Sequence, residues 1–139
     1  MGDLTKNFSL KEFRCKDGSD VPEELLPNVQ KLANNLQVLR DYLSDPKIII
    51  ISGYRSPRYN ESVSRARKSQ HILAKAGDLL VEGYTPLQVE KAIRHLQKEG
   101  KMVAGGIGVY NKPEREIKFL HYDIRGKNVR FGDKRIKDG

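Results

Sequence analysis

Apolar residues recur at Val29, Leu32, Ala33, Leu36 and Leu43, the i, i+3, i+4, i+7 spacing that lays one apolar stripe along a helix. The spacing predicts a long amphipathic helix over about residues 28–43, stopped by Ser44-Asp45-Pro46. Ile48-Ile49-Ile50-Ile51 then breaks the helical period with a β-branched run typical of a strand covered on both faces, and it predicts the central strand of a sheet. A loop over 52–57, a short polar helix over 58–67 and a second strand over 76–81 follow. Thr85-Pro86 supplies an N-cap and an N1 proline, and Leu87, Ile93 and Leu96 give that helix its apolar positions before Gly100 ends it. A third strand over 106–110, a break at Asn111-Lys112-Pro113-Glu114 and a fourth strand over 117–124 form a hairpin. Near the start, Ser9-Leu10-Lys11-Glu12 fits a capping box opening a short helix between Phe8 and Phe13.

The alternation of side chains along a strand puts Ile117, Phe119, His121, Asp123 and Arg125 on one face of the fourth strand, and Lys118, Leu120, Tyr122 and Ile124 on the other. Two titratable groups, His121 and Asp123, thus project together, an odd way to build a plain core. His71 and Asp78 lie upstream in Ser69-Gln70-His71-Ile72-Leu73-Ala74-Lys75-Ala76-Gly77-Asp78, with Asp78 on the second strand. Two imidazoles and a carboxylate form a mixed nitrogen and oxygen set suited to zinc, with a fourth tetrahedral position left for water or substrate. His95, among charged neighbours on the Thr85 helix, reads as an ordinary surface histidine.

Composition narrows the picture. The 139 residues, 37% hydrophobic, suit a single domain with its own core; the core is expected over about 7–126, with a basic tail over 127–139. Cys15 is the only cysteine, so an intrachain disulfide and a Cys-rich zinc site are excluded. No apolar run approaches the roughly 18 residues of a membrane span, and the first residues lack an apolar stretch of signal-peptide length. A protein made in the cytoplasm is expected, reaching its site of action after release. The 26 Lys and Arg against 18 Asp and Glu give a formal charge of +8, which favours polyanionic surroundings. Nucleic acid is not the expected partner, because aromatic stacking clusters and a recognised binding motif are missing. Arg65, Arg67, Lys68 and the basic stretch 127–137 read as solvated faces that can also attract an anionic polymer. Gly105-Gly106-Ile107-Gly108 resembles a phosphate loop only superficially, since it leads into a strand and has no following lysine and hydroxyl residue.

Ser52-Gly53-Tyr54-Arg55-Ser56-Pro57 with Asn60, then Ser69-Gln70-His71 through Asp78, then Gly105-Gly106-Ile107-Gly108 and Leu120-His121-Tyr122-Asp123 occur in an order that resembles the M15 peptidases. The opening Asn7-Phe8-Ser9-Leu10-Lys11-Glu12-Phe13 with Asp17-Gly18 is similar to the branch whose third ligand lies in a His-x-Asp motif. The resemblance implies an α+β domain of the Hedgehog/DD-peptidase fold, with a small antiparallel sheet of about four strands packed with helices. It implies zinc-dependent hydrolysis of peptide bonds in peptidoglycan stems or crosslinks, as in D-Ala-D-Ala carboxypeptidases and phage or prophage endolysins. The same resemblance implies that His71, Asp78 and His121 bind zinc, that Arg55 holds a substrate carbonyl or carboxylate and stabilises the oxyanion, and that Ser69 and Gln70 support or contact substrate.

Two positions depart from the family pattern. Lys118 stands three residues before the third ligand, where several branches carry a Glu or Asp, leaving Asp123 as first choice for the base or an orienting partner and Glu116 as second. Ala74 replaces a usual glycine, and Ser64-Arg65 stand where small glycines are common. The alternative expectation is therefore a non-catalytic zinc-binding module of the same fold that binds cell wall or a protein partner.

Overall fold

The computed structural model describes residues 2–64 and 68–133. A 3-10 turn at Leu10–Phe13 opens the chain, closed at its start by the expected capping box, in which the Ser9 N–H donates to Glu12 Oε2 at 2.6 Å. Helix α1, Leu26–Tyr42, buries Val29, Leu32, Ala33, Leu36 and Leu39, so the apolar stripe falls where the periodicity put it. Strand β1 (Ile48–Ser52), helix α2 (Pro57–Val63), strand β2 (Ala76–Val81), helix α3 (Pro86–Lys98) and strands β3 (Gly106–Tyr110), β4 (Phe119–Asp123) and β5 (Val129–Gly132) follow. Thr85 caps α3 through a reciprocal capping box with Gln88, and Val89, Ala92, Ile93 and Leu96 form its buried face.

The strands make one sheet in the order β1-β2-β4-β3-β5, antiparallel throughout except for the parallel β3–β5 pair. The α+β class and the β3–β4 hairpin are as expected. The sheet has one strand more than expected, because Val129–Gly132, assigned to the tail, pairs with β3. Residues 65–67 and 134–139, where part of the expected α2 helix and of the basic tail falls, lie outside the described residues.

The isoleucine run is an edge strand and not the central one: β1 pairs only with β2, Ile48 and Ile50 are buried, and Ile49 is 44% exposed. Two apolar neighbours on alternate sides of a short run look the same in sequence whether or not a second strand lies beyond them. The central place belongs to β4, which carries His121 and is flanked by β2 and β3.

One face of the sheet is closed and the other is open for chemistry. Leu79, Ile107, Val109, Leu120 and Tyr122 point to the closed face and join the core with α1 and α3, where burying such side chains contributes about 1.5–3 kcal/mol each. Tyr122, fully buried, satisfies its hydroxyl by donating to the Val103 carbonyl at 2.7 Å. Among the described residues no helix is long and apolar enough to cross a membrane.

Candidate metal centre

The open face presents a row of residues paired across four strands. Asp78 of β2 lies opposite His121 of β4, His121 opposite Gly108 of β3, and Gly108 beside Phe131 of β5. Because paired residues share a face, Asp78, His121 and Phe131 all project into one cleft. His71 reaches the same cleft from the turn before β2, held by its N–H donating to Ser69 Oγ at 3.1 Å and by its carbonyl accepting from the Arg55 N–H at 3.0 Å. The cleft, about 500 Å³, is also lined by Arg55, Lys68, Ser69, Gln70, Tyr110 and Arg125.

Each imidazole is locked from behind. His71 Nδ1 lies 2.7 Å from the Gly53 carbonyl, which can only accept, so that nitrogen carries the hydrogen and Nε2 is left as a bare lone pair. His121 Nε2 lies 2.8 Å from Asp123 Oδ2, which fixes the opposite tautomer and leaves Nδ1 bare. These two free nitrogens approach Asp78 Oδ1 at 3.4 Å and 3.1 Å, and the three donor atoms all lie within 4.8 Å of one another. All three side chains are buried. Three acceptor atoms converging without a hydrogen between them repel one another unless a positive charge sits among them. The donor set, its spacing and its outer partners therefore fit zinc.

Protons and a metal compete for these atoms. Burial disfavours ionisation of Asp78, but the neighbouring His121 and His71 imidazoles outweigh it and hold the carboxyl well below its ordinary range. Burial likewise opposes charge on His121, yet its contacts with Asp123 and Asp78 raise its affinity for a proton, which would take Nδ1, the atom otherwise bare for a metal.

Asp123 is part of the support and does not line the cleft. Its carboxylate is fully buried and accepts five hydrogen bonds: from His121 Nε2, from Arg125 Nη2 and Nε at 2.7 Å and 2.9 Å, and from the N–H groups of Gly106 and Arg125 at 2.9 Å and 3.1 Å. Both oxygens are committed to these bonds, and the His121 ring lies between Asp123 and the other two donor groups. That geometry suits an orienting partner better than a base. Gly106 makes the arrangement possible, since a Cβ there would sit 2.4 Å from Asp123 Oδ2. Glu116 is exposed on the hairpin loop and does not line the cleft either.

Arg55 lines the cleft, with Nη2 3.5 Å from Asp78 Oδ2, Nη1 3.2 Å from Asn60 Oδ1 and Nε 3.3 Å from Ser52 Oγ. These long contacts position the guanidinium without saturating it. Ser69 and Gln70 both line the cleft. Lys118, just before β4, borders a groove with Leu79, Leu80 and Leu120 and is not among the residues that line the cleft. Ala74 has a left-handed backbone, φ 57°, which accounts for the glycine usual there.

Sequence reasoning missed the aromatic wall. Phe131 packs edge-on against His121 with ring centres 4.9 Å apart, and Tyr110 stacks on Phe119 at 4.6 Å. The alternating Val129-x-Phe131 pattern was the only signal for β5, and it is too short to stand out in a basic segment.

No protein of curated function matches the chain. Among solved structures it is similar to the L-Ala D-Glu endopeptidase ChiX of Serratia marcescens, at 17% identity and a TM-score of 0.46, over 75% of this chain and 88% of that one. The profile of the family described as Peptidase M15 matches residues 5–121, a span that holds Arg55, His71, Asp78 and His121 in order, and the chain belongs to that family.

Proposed function

We propose that the protein is a zinc-dependent peptidase that hydrolyses peptide bonds of peptidoglycan, as a D,D-carboxypeptidase or an endopeptidase of the endolysin kind. Membership of the M15 family supports the peptidase class. The observation that carries the zinc reading is the convergence of two tautomer-locked imidazole nitrogens on Asp78 Oδ1.

When bound, zinc supplies Lewis acidity, polarising a carbonyl and acidifying water. The chain's residues do the rest. His71, Asp78 and His121 hold the ion, the Gly53 carbonyl and Asp123 keep the two rings aimed, and Arg55 binds the scissile carbonyl oxygen or a nearby substrate carboxylate. Arg55, Lys68 and Arg125 line the cleft, against Asp78 as its one carboxylate among the described residues, so the substrate is drawn in by its own negative charge. The excess of basic residues supports adhesion to an anionic wall by the same attraction.

That single carboxylate also favours a second reading, a zinc-binding module that holds wall or a protein partner without cleaving it. Mass spectrometry of purified peptidoglycan, incubated with the protein with and without a chelator, separates the two. Metal-dependent release of new amine ends is the expected result. Full activity in a metal-free preparation sinks the zinc mechanism, whereas bound zinc with co-sedimentation and no cleavage establishes the module.

A further inference from the structure

Tyr110 ends β3 on the same face as His121, two pairs further along the β3–β4 ladder, opposite Phe119. Its ring does not stand upright there. It leans back along the strand over Gly108, the residue opposite His121: a Cβ on Gly108 would lie 2.9 Å from Tyr110 Cε2 and 2.6 Å from the Phe131 ring. The missing side chain at 108 is therefore the space into which both rings incline, toward His121. Cε2 is bonded to the carbon that bears the hydroxyl, so the phenol oxygen is carried into the cleft with the ring.

The ring is clamped in that pose. It stacks on Phe119 at 4.6 Å with 12° between planes, and the Arg115 guanidinium lies over it at 5.0 Å. Arg115 is itself fixed by two hydrogen bonds to Asp133, from Nε and from Nη2, the second at 2.7 Å. The hydroxyl has no hydrogen-bond partner among the described residues, although the ring is partly buried. Burial and the charge of Asp78 both raise the phenol's pKa, so it keeps its hydrogen at neutral pH. A rigid, protonated and uncommitted donor thus shares the cleft with the three candidate ligands and Arg55.

We propose that Tyr110 is a catalytic residue whose hydroxyl donates a hydrogen bond to the scissile carbonyl oxygen, partnering Arg55 as negative charge grows on that oxygen. The assignment rests on the peptidase reading. Such a donor acts most strongly in the transition state, where the oxygen is most negative, and so it raises turnover more than substrate affinity.

Tyr110→Phe keeps the stacked ring and removes only the donor. Steady-state kinetics on the muropeptide that the wild-type protein cleaves are expected to show kcat lower by roughly 10²-fold with KM within about twofold. Zinc content and the circular dichroism spectrum are expected to match wild type. A phosphinate isostere of the cleaved bond, which carries the tetrahedral oxygens, is expected to lose affinity in proportion to kcat/KM. An unchanged kcat, or a loss confined to KM, overturns the assignment while leaving the peptidase reading standing. Failure of the wild-type protein to cleave any muropeptide overturns both.

Discussion

His121 Nε2 and Asp123 Oδ2 are 2.8 Å apart, two residues along one strand, and this contact turns the His121 ring so that Nδ1 faces Asp78. The relationship places a buried carboxylate behind a metal-directed imidazole, where it fixes tautomer and raises ligand basicity. Asp123→Asn keeps the shape, removes the charge and forces the side-chain amide to choose between His121 and Arg125. Zinc affinity is expected to fall roughly 10- to 100-fold, measured by competition with a chromophoric chelator. Unchanged affinity would show that the contact is incidental to metal binding.

Removing a ligand has a larger effect than removing its support. His71→Ala and Asp78→Asn are expected to take zinc content from about one per chain to near zero and to abolish muropeptide cleavage. Elemental analysis of the purified proteins, alongside cleavage assays, checks both. A variant that kept its metal would displace that residue from the donor set.

Gly106 lies where a methyl group would collide with Asp123 Oδ2 and with Arg125 Nη2, at 2.4 Å and 2.8 Å. Gly106→Ala is expected to cost on the order of 2 kcal/mol in urea denaturation and to weaken zinc binding with it. The two effects share one cause, displacement of the Asp123 carboxylate. A stability loss with zinc affinity intact would show that the strand had shifted without disturbing the carboxylate.

The bidentate pair between Arg115 and Asp133 gives a pH signature. Hydrogen bonds from Arg115 hold the Asp133 carboxyl down at about 2, outweighing the effect of burial, whereas an unfolded Asp titrates near about 3.9. A depressed native pKa stabilises the fold above the unfolded value, and that contribution fades as pH falls from about 4 toward about 2. Asp133→Asn is therefore expected to destabilise most at neutral pH and to converge on wild type in acid. Denaturant midpoints across that range test it; a gap independent of pH would rule the pair out as its source.

Ala74 sits in the left-handed region with its methyl group buried. The backbone cost of about 1–2 kcal/mol favours glycine, while the lost methyl packing and the freer unfolded chain favour alanine. Ala74→Gly is expected to leave stability within about 1 kcal/mol of wild type and zinc binding unchanged. Ala74→Val, branched at Cβ in a left-handed position, is expected to be clearly destabilised in the same denaturant titration.

The helices were legible because their signals are local: the stripe from Val29 to Leu39 and the Thr85-Pro86 start depend on neighbours within two turns. Strand parity was legible for the same reason, and it put His121 and Asp123 on one face. The candidate ligands were legible as residue types in family order, and the structure brings the three together. Whether Ile48–Ser52 is central or at an edge depends on which strand lies beyond it, which a run of isoleucines does not encode. The division of labour between His121 and Asp123 likewise waited on depth. Alternation says which way a side chain points, but only the packing of Gly106 and Arg125 around Asp123 decides that its carboxylate is sealed behind the ring. Phe131 joined the site through its parallel pairing with Gly108, formed across the 22 residues from Val109 to Arg130, and Tyr110 through the space left by Gly108. The sequence by itself determined which groups are suited to a metal, because that is chemistry carried by residue types. Tertiary structure decided which of the others stand in front of it and which behind, because solvent access and hydrogen-bond saturation are properties of packing.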